Sequence, residues 1–237
     1  MKTDNGESTS LWMATPETRA EPQLTTDLET DVCIIGAGIA GMTTGYFLAR
    51  EGQRVVVLDD GSVAGGETCR TTAHLVNAPD TYFIELERLH GERSARLAAE
   101  SHTAAIDKIE EIARREKISC NLRRLDGYLY TEQGESTETL ESELKAAHRA
   151  GLEDVELIDR VPVDSFKTGP ALRFPRQGQF HILKYIKGLA RAIERDGGEI
   201  YGQTHADEIE GLTGDSARVK TSTGAVVKAR AVVVATN

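Results

Sequence analysis

Apolar and polar residues alternate in blocks near the start of the chain. Residues 31–35 are mostly apolar, and this run ends at Gly36. A short run that is apolar on both faces is typical of a buried parallel strand. Residues 39–51 have a helical pattern that is closed by Gly52, and residues 55–58 form a second apolar run. The three segments together predict one βαβ unit of about 30 residues.

Later segments extend this α/β pattern. Apolar residues recur at spacings of three and four in three stretches, which predicts helices over residues 92–117, 137–150 and 183–196. Stretches bounded by turn residues predict strands at 120–132 (as two short pieces), 155–159, 199–203, 208–213, 218–223 and 225–228. Residues 231–235 have the pattern of a strand that is buried on both faces.

The turn between the first strand and the first helix is a G-x-G-x-x-G motif. In this context Gly36 permits a tight turn, Gly38 lets the backbone approach a pyrophosphate, and Gly41 lets the helix pack closely on the strand. The pyrophosphate then lies at the positive end of the helix dipole. Asp59 follows the second strand, where its carboxylate can accept both hydroxyl groups of an adenosine ribose.

These residues predict a dinucleotide site without identifying the dinucleotide. An acid at position 59 would repel a 2′-phosphate, which disfavours NADP and leaves FAD and NAD open. Residues 65–75 follow the second strand and are rich in Gly and Thr, so their N–H and hydroxyl groups could reach a second phosphate or a ring edge. The alternatives are an ordinary surface loop at 65–75 and a glycine-rich turn that holds no ligand at 36–41.

Charge and composition exclude several function classes. The chain has 28 Lys and Arg against 38 Asp and Glu, a net charge of −10, which disfavours nucleic-acid and anionic-lipid partners. Its apolar runs are too short to cross a bilayer, and its start lacks the apolar core of a signal peptide. Three widely spaced cysteines fit a reducing compartment, so we expect a cytoplasmic protein. No cluster has metal-ligand spacing, so no metal site is predicted.

Several blocks of the sequence resemble one family of flavoproteins. The blocks are DVCIIGAGIAGMTTGYFLAREGQRVVVLDD, GGETCRTTAHL, LRRLDGYLY, ALRFPRQGQFHILKYIKGLARAIERDGG and ARAVVVATN. They are similar to the FAD-dependent oxidoreductases of the D-amino-acid oxidase (glycine/sarcosine oxidase) superfamily. The arrangement is closest to the bacterial branch that often carries a C-terminal Rieske domain. The chain has no Rieske Cys-x-His motif, so no iron–sulfur cluster is implied for it.

The resemblance implies a set of FAD-binding residues. The glycines of the motif would bind the pyrophosphate, Asp59 the adenosine ribose, residues 68–73 the flavin and Ala206 the adenine, and residues 235–237 match a strand-end motif beside the cofactor. The family usually has Glu at position 59 and often has Pro at position 182, where this chain has Asp and Ile. The full set is Gly36, Ala37, Gly38, Ile39, Ala40, Gly41, Asp59, Asp60, Gly66, Thr68, Arg70, Thr71, Thr72, Ala73, Ala206, Ala235 and Thr236.

The resemblance assigns no catalytic acid or base. His74 lies in the predicted flavin loop and His181 lies just before a predicted helix, so these two are the candidates. A plain loop histidine and a helix-start residue that bonds locally are the respective alternatives. Cys69 lies in the same loop, and we expect it to be an unreactive thiol rather than a covalent flavin link.

The expected fold class is α/β, a Rossmann-like FAD-binding domain with an inserted α+β substrate-side region. The predicted divisions are an extended arm at 1–28, FAD-binding segments at 29–80 and 183–237, and the substrate-side region at 81–182. Superfamily members usually continue well beyond this length, so the resemblance implies an N-terminal portion. We therefore expect this chain to associate with a missing C-terminal half or with an oligomer partner.

The implied reaction is oxidation of a C–N bond in a small amine or amino acid, with hydride transfer to flavin N5. Three alternatives stand beside it. The first is a truncated flavoprotein that is catalytically incomplete, and the second is an NAD-dependent dehydrogenase. The third is a flavin-dependent RNA-modifying enzyme, which the acidic charge disfavours.

Overall fold

A computed structural model describes residues 9–15, 20–132, 134, 136–211 and 216–236. The helices are α1 (Ile39–Arg50), α2 (Phe83–His90), α3 (Glu92–Arg115), α4 (Glu138–Arg149) and α5 (Ile182–Arg195), with a 3-10 turn at Glu67–Arg70. The strands are β1 (Leu28–Ile35), β2 (Val55–Leu58), β3 (His74–Leu75), β4 (Arg123–Tyr130), β5 (Glu156–Ile158), β6 (Ala171–Gln179), β7 (Glu199–Tyr201), β8 (Ala206–Glu210), β9 (Ala217–Thr221) and β10 (Val226–Val234).

The chain forms two compact units. The first unit contains the described residues up to Thr72, the segment Arg115–Cys120 and the described residues from His181 onwards. The second unit contains Ala73–Arg114 and Asn121–Phe180. The predicted domains group residues by cofactor and substrate binding, so that division stays a prediction beside this structural one.

The first unit is built on a six-stranded sheet with the order β7-β2-β1-β10-β9-β8. The first four strands run parallel, and β9 and β8 complete the sheet in antiparallel orientation. All four residues of β2 are buried, as a parallel strand with covered faces requires. Helix α1 packs against α5, and a methyl group at Gly45 would lie 3.3 Å from Ile193 Cδ1 and 3.4 Å from Val57 Cγ2. The α/β class and its parallel βαβ unit are therefore confirmed.

The second unit packs helices on a small antiparallel sheet. Strand β6 pairs with β3, β4 and β5. The hydrophobic core of this unit includes Phe83, Leu140, Leu172 and Phe174. Glu143 is only 1% exposed, and its carboxylate oxygens accept the N–H groups of residues 83 and 84 at 2.7 and 3.0 Å. A carboxylate at the start of α2 satisfies N–H groups that have no partner within the helix.

The structure corrects several predicted elements. The region 120–132 contains one strand, β4 (Arg123–Tyr130), with an irregularity between Leu125 and Gly127, rather than two pieces. The predicted strands 225–228 and 231–235 are parts of one strand, β10, which runs from Val226 to Val234. Residues 212–213 of a further predicted strand lie outside the described residues. The prediction that 231–235 is fully buried is wrong, because Val234 is 60% exposed. Strand β9 pairs with β10 only as far as Ala229, so the later residues of β10 have no paired strand on that side among the described residues.

Candidate functional site

A cleft of about 950 Å³ lies at the carboxyl ends of strands β1, β2 and β10. Ligands of open parallel sheets bind outside these strand ends. The first group of lining residues comes from the predicted motifs: Gly36, Gly38, Asp59, Asp60, Gly66, Thr68, Arg70, Ala206, Ala235 and Thr236. The remaining lining residues are Ile35, Leu58, Gly61, Ser62, Ala64, Gly65, Glu67, Gln203, Thr204, His205, Ile209 and Val234.

The glycine motif brings backbone groups too close together for any side chain. Gly36 has φ +105°, and a Cβ there would lie 2.6 Å from the Ala235 carbonyl oxygen. A Cβ at Gly41 would overlap the Gly36 carbonyl oxygen at 1.9 Å. These distances are those of a close backbone cradle, in which the turn and the start of α1 pack main chain against main chain as only glycine permits.

Helix α1 begins at this cradle, with Gly38 as its N-cap. The first N–H groups of a helix have no partner within the helix, so they attract an anion. The N–H of Ile39 donates to Thr68 Oγ1 at 3.1 Å, which ties the 3-10 turn to the start of α1. The same hydroxyl oxygen lies 3.1 Å from the position of a Cβ at Gly38.

Asp59 is held by backbone groups. The N–H of Ala37 donates to its Oδ2 at 2.6 Å, and the N–H of Gly61 donates to its Oδ1 at 2.9 Å. Burial raises the pKa of the Asp59 carboxyl, the two N–H groups oppose that rise, and the Asp60 carboxylate adds to it. Each oxygen keeps a further lone pair, so the side chain can accept ligand hydroxyls.

The loop after β7 completes the cleft, and sequence reasoning missed it. The N–H of Gln203 donates to the Gly61 carbonyl at 2.8 Å, and the N–H of Thr204 donates to the Asp59 carbonyl at 2.8 Å. A Cβ at Gly202 would lie 2.9 Å from the Gly61 carbonyl oxygen. Residues 202–203 were predicted as the end of a strand, but β7 ends at Tyr201. Gly202 was the available signal for a turn, and only the pairing of β7 with β2 places this loop.

The predicted site residues divide into three groups. Ten line the cleft, as given above. Six more belong to the first unit but do not line the cleft: Ala37, Ile39, Ala40 and Gly41 of the glycine motif, and Thr71 and Thr72 of the later loop. The last, Ala73, belongs to the second unit. The assignment of these residues to FAD stays a prediction. Asn237, from the strand-end motif, lies outside the described residues.

Neither candidate histidine lines this cleft. His74 is an exposed residue of β3, where it pairs with Gln179 in the second unit. His181 is 7% exposed, and its Nδ1 accepts the Lys184 N–H at 3.4 Å as the N-cap of α5. The structure therefore places His181 in the helix-start role that was the alternative to catalysis.

Cys69 is a buried thiol of the 3-10 turn. Its Sγ lies 3.1 Å from the Gly66 carbonyl oxygen, within hydrogen-bond distance for sulfur. Burial raises the pKa of this thiol, and a protonated thiol is a poor nucleophile. Among the residues that the structure describes, no three His, Cys, Asp or Glu side chains meet in a metal-binding group. None of the described helices has the length and apolar character needed to span a membrane.

A dinucleotide fits this combination of groups. The cradle and helix start offer N–H groups for a pyrophosphate, and Asp59, bonded to the Ala37 N–H of the motif, offers acceptor oxygens for ribose hydroxyls. The volume of about 950 Å³ is at the upper end of the range for small-molecule and cofactor sites.

Comparisons with known proteins extend this assignment. The chain is 34% identical over 224 residues to YhfW of Bacillus subtilis, which is named as a Rieske 2Fe-2S iron-sulfur protein, covering 94% of this chain and 43% of that protein. It is 30% identical to the gamma-glutamylputrescine oxidoreductase of Escherichia coli, covering 98% of this chain and 55% of the relative. Glycine oxidase from Geobacillus kaustophilus shares the fold with a TM-score of 0.71 at 20% identity, over 88% of this chain and 55% of the other.

The chain thus spans about half the length of the curated relatives it matches. A family model described as DAO, FAD dependent oxidoreductase, matches residues 31–237, which include the glycine motif and Asp59. FAD is the cofactor of that family, and it is a dinucleotide of the kind that the cleft fits. The chain belongs to the DAO family of FAD-dependent oxidoreductases.

Proposed function

We propose that this chain forms the FAD-binding part of an enzyme that oxidises a C–N bond in a small amine or amino acid. The observation that carries the proposal is the meeting of the glycine cradle and Asp59 in one cleft at the carboxyl edge of the parallel sheet. Relatives named for gamma-glutamylputrescine and for glycine support the substrate class.

Separate groups would hold the parts of the cofactor. The N–H groups at the start of α1 would hold the pyrophosphate, and the Asp59 carboxylate would hold the adenosine ribose. Ala206 would lie at the adenine, and Thr68 and Arg70 of the 3-10 turn would lie towards the flavin. In this proposal residues 29–80 and 183–237 bind FAD and residues 81–182 form the substrate side.

When bound, FAD supplies the electron acceptor for oxidation of the C–N bond. The residues of this chain bind and orient it. The backbone bonds from Ala37 and Gly61 fix the Asp59 carboxylate, and the bond from Ile39 to Thr68 fixes the 3-10 turn beside the helix start. No residue of the cleft is assigned as an acid or base.

The first experiment asks whether the chain holds the flavin. The purified 237-residue chain is incubated with FAD, desalted, and examined for visible flavin absorbance. We expect retained flavin in proportion to protein. Absence of flavin after desalting, together with no change in FAD fluorescence on titration, would contradict the proposal.

The second experiment separates amine from amino-acid substrates in the whole enzyme of which this chain is proposed to form the FAD-binding part. Gamma-glutamylputrescine, glycine and larger L-amino acids are added anaerobically to the FAD-loaded protein, and the loss of flavin absorbance is followed. Loss of flavin absorbance with one class of compound identifies the substrate class. Bleaching by none of them would leave the FAD assignment intact and contradict the proposed reaction.

A further inference from the structure

A single turn near the N-terminus lies against the loop that borders the FAD cleft. This N-terminal turn, residues 10–15, is closed by the bonds from Ala14 N–H to the Ser10 carbonyl and from Thr15 N–H to the Trp12 carbonyl, both 3.2 Å. It precedes the β1 strand and has no part in the glycine motif. Its side chains are nevertheless bonded to residues far along the chain.

Two side chains of the N-terminal turn hold consecutive parts of the loop backbone. The Ser10 hydroxyl donates to the Cys69 carbonyl at 2.6 Å, and the Trp12 indole N–H donates to the Thr71 carbonyl at 2.7 Å. Both acceptors lie at the end of the 3-10 turn, between residues that line the cleft and the chain's exit from the first unit. Two bonds from one turn fix the position of this loop segment.

The inner side of the same loop is tied to the cofactor cradle. Thr68 accepts the Ile39 N–H at the start of α1, and Thr68 and Arg70 both line the cleft. Residues 67–71 are therefore held by hydrogen bonds to two separate segments, the start of α1 and the N-terminal turn. An isolated loop of this kind would have to be ordered when a ligand binds, which weakens binding.

His181 anchors the N-terminal turn to α5. The Trp12 and His181 rings lie 5.1 Å apart between centroids, at an angle of 59°. Thr15 Oγ1 lies 3.0 Å from His181 Nε2, and the same hydroxyl donates to the Trp12 carbonyl at 2.5 Å. The buried position of His181, unexplained by catalysis, is thus explained as the support of this turn.

We propose that the N-terminal turn is a positioning element of the FAD site, and that Ser10 and Trp12 hold the 67–71 loop in its cofactor-ready conformation before FAD arrives. This inference rests on the proposed function for the identity of the ligand. The hydrogen bonds between the N-terminal turn and the loop do not depend on it.

The test uses two variants and a matched control in the 237-residue chain. Trp12→Phe keeps a ring beside His181 and removes the N–H donor, and Ser10→Ala removes the hydroxyl donor. Leu11→Ala is the control, because Leu11 lies in the same turn and is 73% exposed. The dissociation constant of FAD is measured by fluorescence titration well below each melting midpoint, where a contact that only stabilises the fold leaves affinity unchanged.

We expect each donor variant to weaken FAD binding about tenfold, the effect of about 1.4 kcal/mol, while Leu11→Ala stays within about twofold of the parent. Hydrogen exchange of the chain without FAD should be faster at amides 67–72 in the donor variants alone. Equal affinities and equal exchange in all variants would overturn the proposal. If the parent chain does not bind FAD, the proposed function fails, while the exchange measurement still decides whether the turn orders the loop.

Discussion

The two edges of the parallel sheet in the first unit each carry an aspartate, and the two are held in opposite ways. At the amino edge, Asp31 lies 3.0 Å from the Arg54 guanidinium and 3.2 Å from that of Arg230. Hydrogen bonds from the Arg54 side chain and backbone lower the pKa of Asp31 to about 2. At the carboxyl edge, Asp59 is bonded by backbone N–H groups, and burial raises its pKa.

The difference separates a structural carboxylate from a binding one. The charge of Asp31 is compensated by side chains of the chain itself, and its pair with Arg54 joins β1 to the residue before β2. Among the described residues, backbone N–H dipoles stabilise the charge of Asp59, which lies beside the acidic Asp60 and lines the cleft. An acceptor of that kind gains most when a ligand brings further hydrogen-bond donors.

The largest expected effect comes from a methyl group at Gly41. Because its Cβ would lie 1.9 Å from the Gly36 carbonyl oxygen, Gly41→Ala must displace the cradle backbone. We expect FAD affinity to fall by roughly two orders of magnitude, with a lower melting midpoint.

Gly52→Ala, at the other end of α1, is the matched control for that change. Its φ is +78° and a Cβ there would meet nothing within 4 Å, so the substitution adds backbone strain of about 1 kcal/mol without overlap. Normal FAD binding by Gly41→Ala would show that the carboxyl edge does not bind the cofactor through its backbone.

The next effect is expected at Asp59. In Asp59→Asn an amide NH₂ must face one of the two N–H donors from Ala37 and Gly61, and one acceptor oxygen is lost. We expect the dissociation constant of FAD to rise about tenfold to a hundredfold in a fluorescence titration. Asp207→Asn is the control, since Asp207 is exposed and does not line the cleft. Equal losses in both variants would remove the distinction between the two carboxylates.

The smallest effect is expected at the amino edge. A lowered pKa means that the Asp31 contribution to folding is present above the usual pKa of 3.8 and is lost as the pH falls through about 2. Asp31→Asn should therefore unfold at lower urea than the parent at pH 7, and the difference should vanish near pH 2. FAD affinity should stay within about twofold of the parent.

Glu29→Gln serves as the control on the same strand, because Glu29 and its partner Lys228 are both exposed and 3.7 Å apart. Such a pair contributes little, so its urea midpoint should match that of the parent. A loss of FAD affinity in Asp31→Asn would show that the two edges are not separate in function.

The βαβ unit could be predicted because its signals are local. The predicted segments 39–51 and 55–58 match α1 and β2 to within one residue at each end, since glycines and β-branched runs mark them in the sequence itself. The family was predictable for the same reason, because the glycine motif and its acid lie within one short segment.

Other parts depend on distant residues and escaped prediction. Strand β6 contains Pro175, and the next residue, Arg176, has positive φ, so the strand lacks a regular alternation of apolar and polar residues. Its buried residues nevertheless pack in the core of the second unit. The loop at Gly202–Thr204 reaches Asp59 only through the pairing of β7 with β2. Val234 is exposed because the pairing of β9 with β10 ends at Ala229. No local sequence pattern predicts where that pairing ends.

The order of strands in the first unit has a consequence for synthesis on the ribosome. Strand β1 pairs with β10 in the register Leu28↔Val227, so its second neighbour emerges roughly 200 residues after it. Synthesis proceeds at about 5–20 residues per second, so this edge of β1 stays unpaired for on the order of 10–40 s before β10 emerges. An apolar parallel strand with an open edge is prone to pair with other chains during that interval. Yield of folded protein should therefore depend on translation speed and on chaperones that cover the β1 edge.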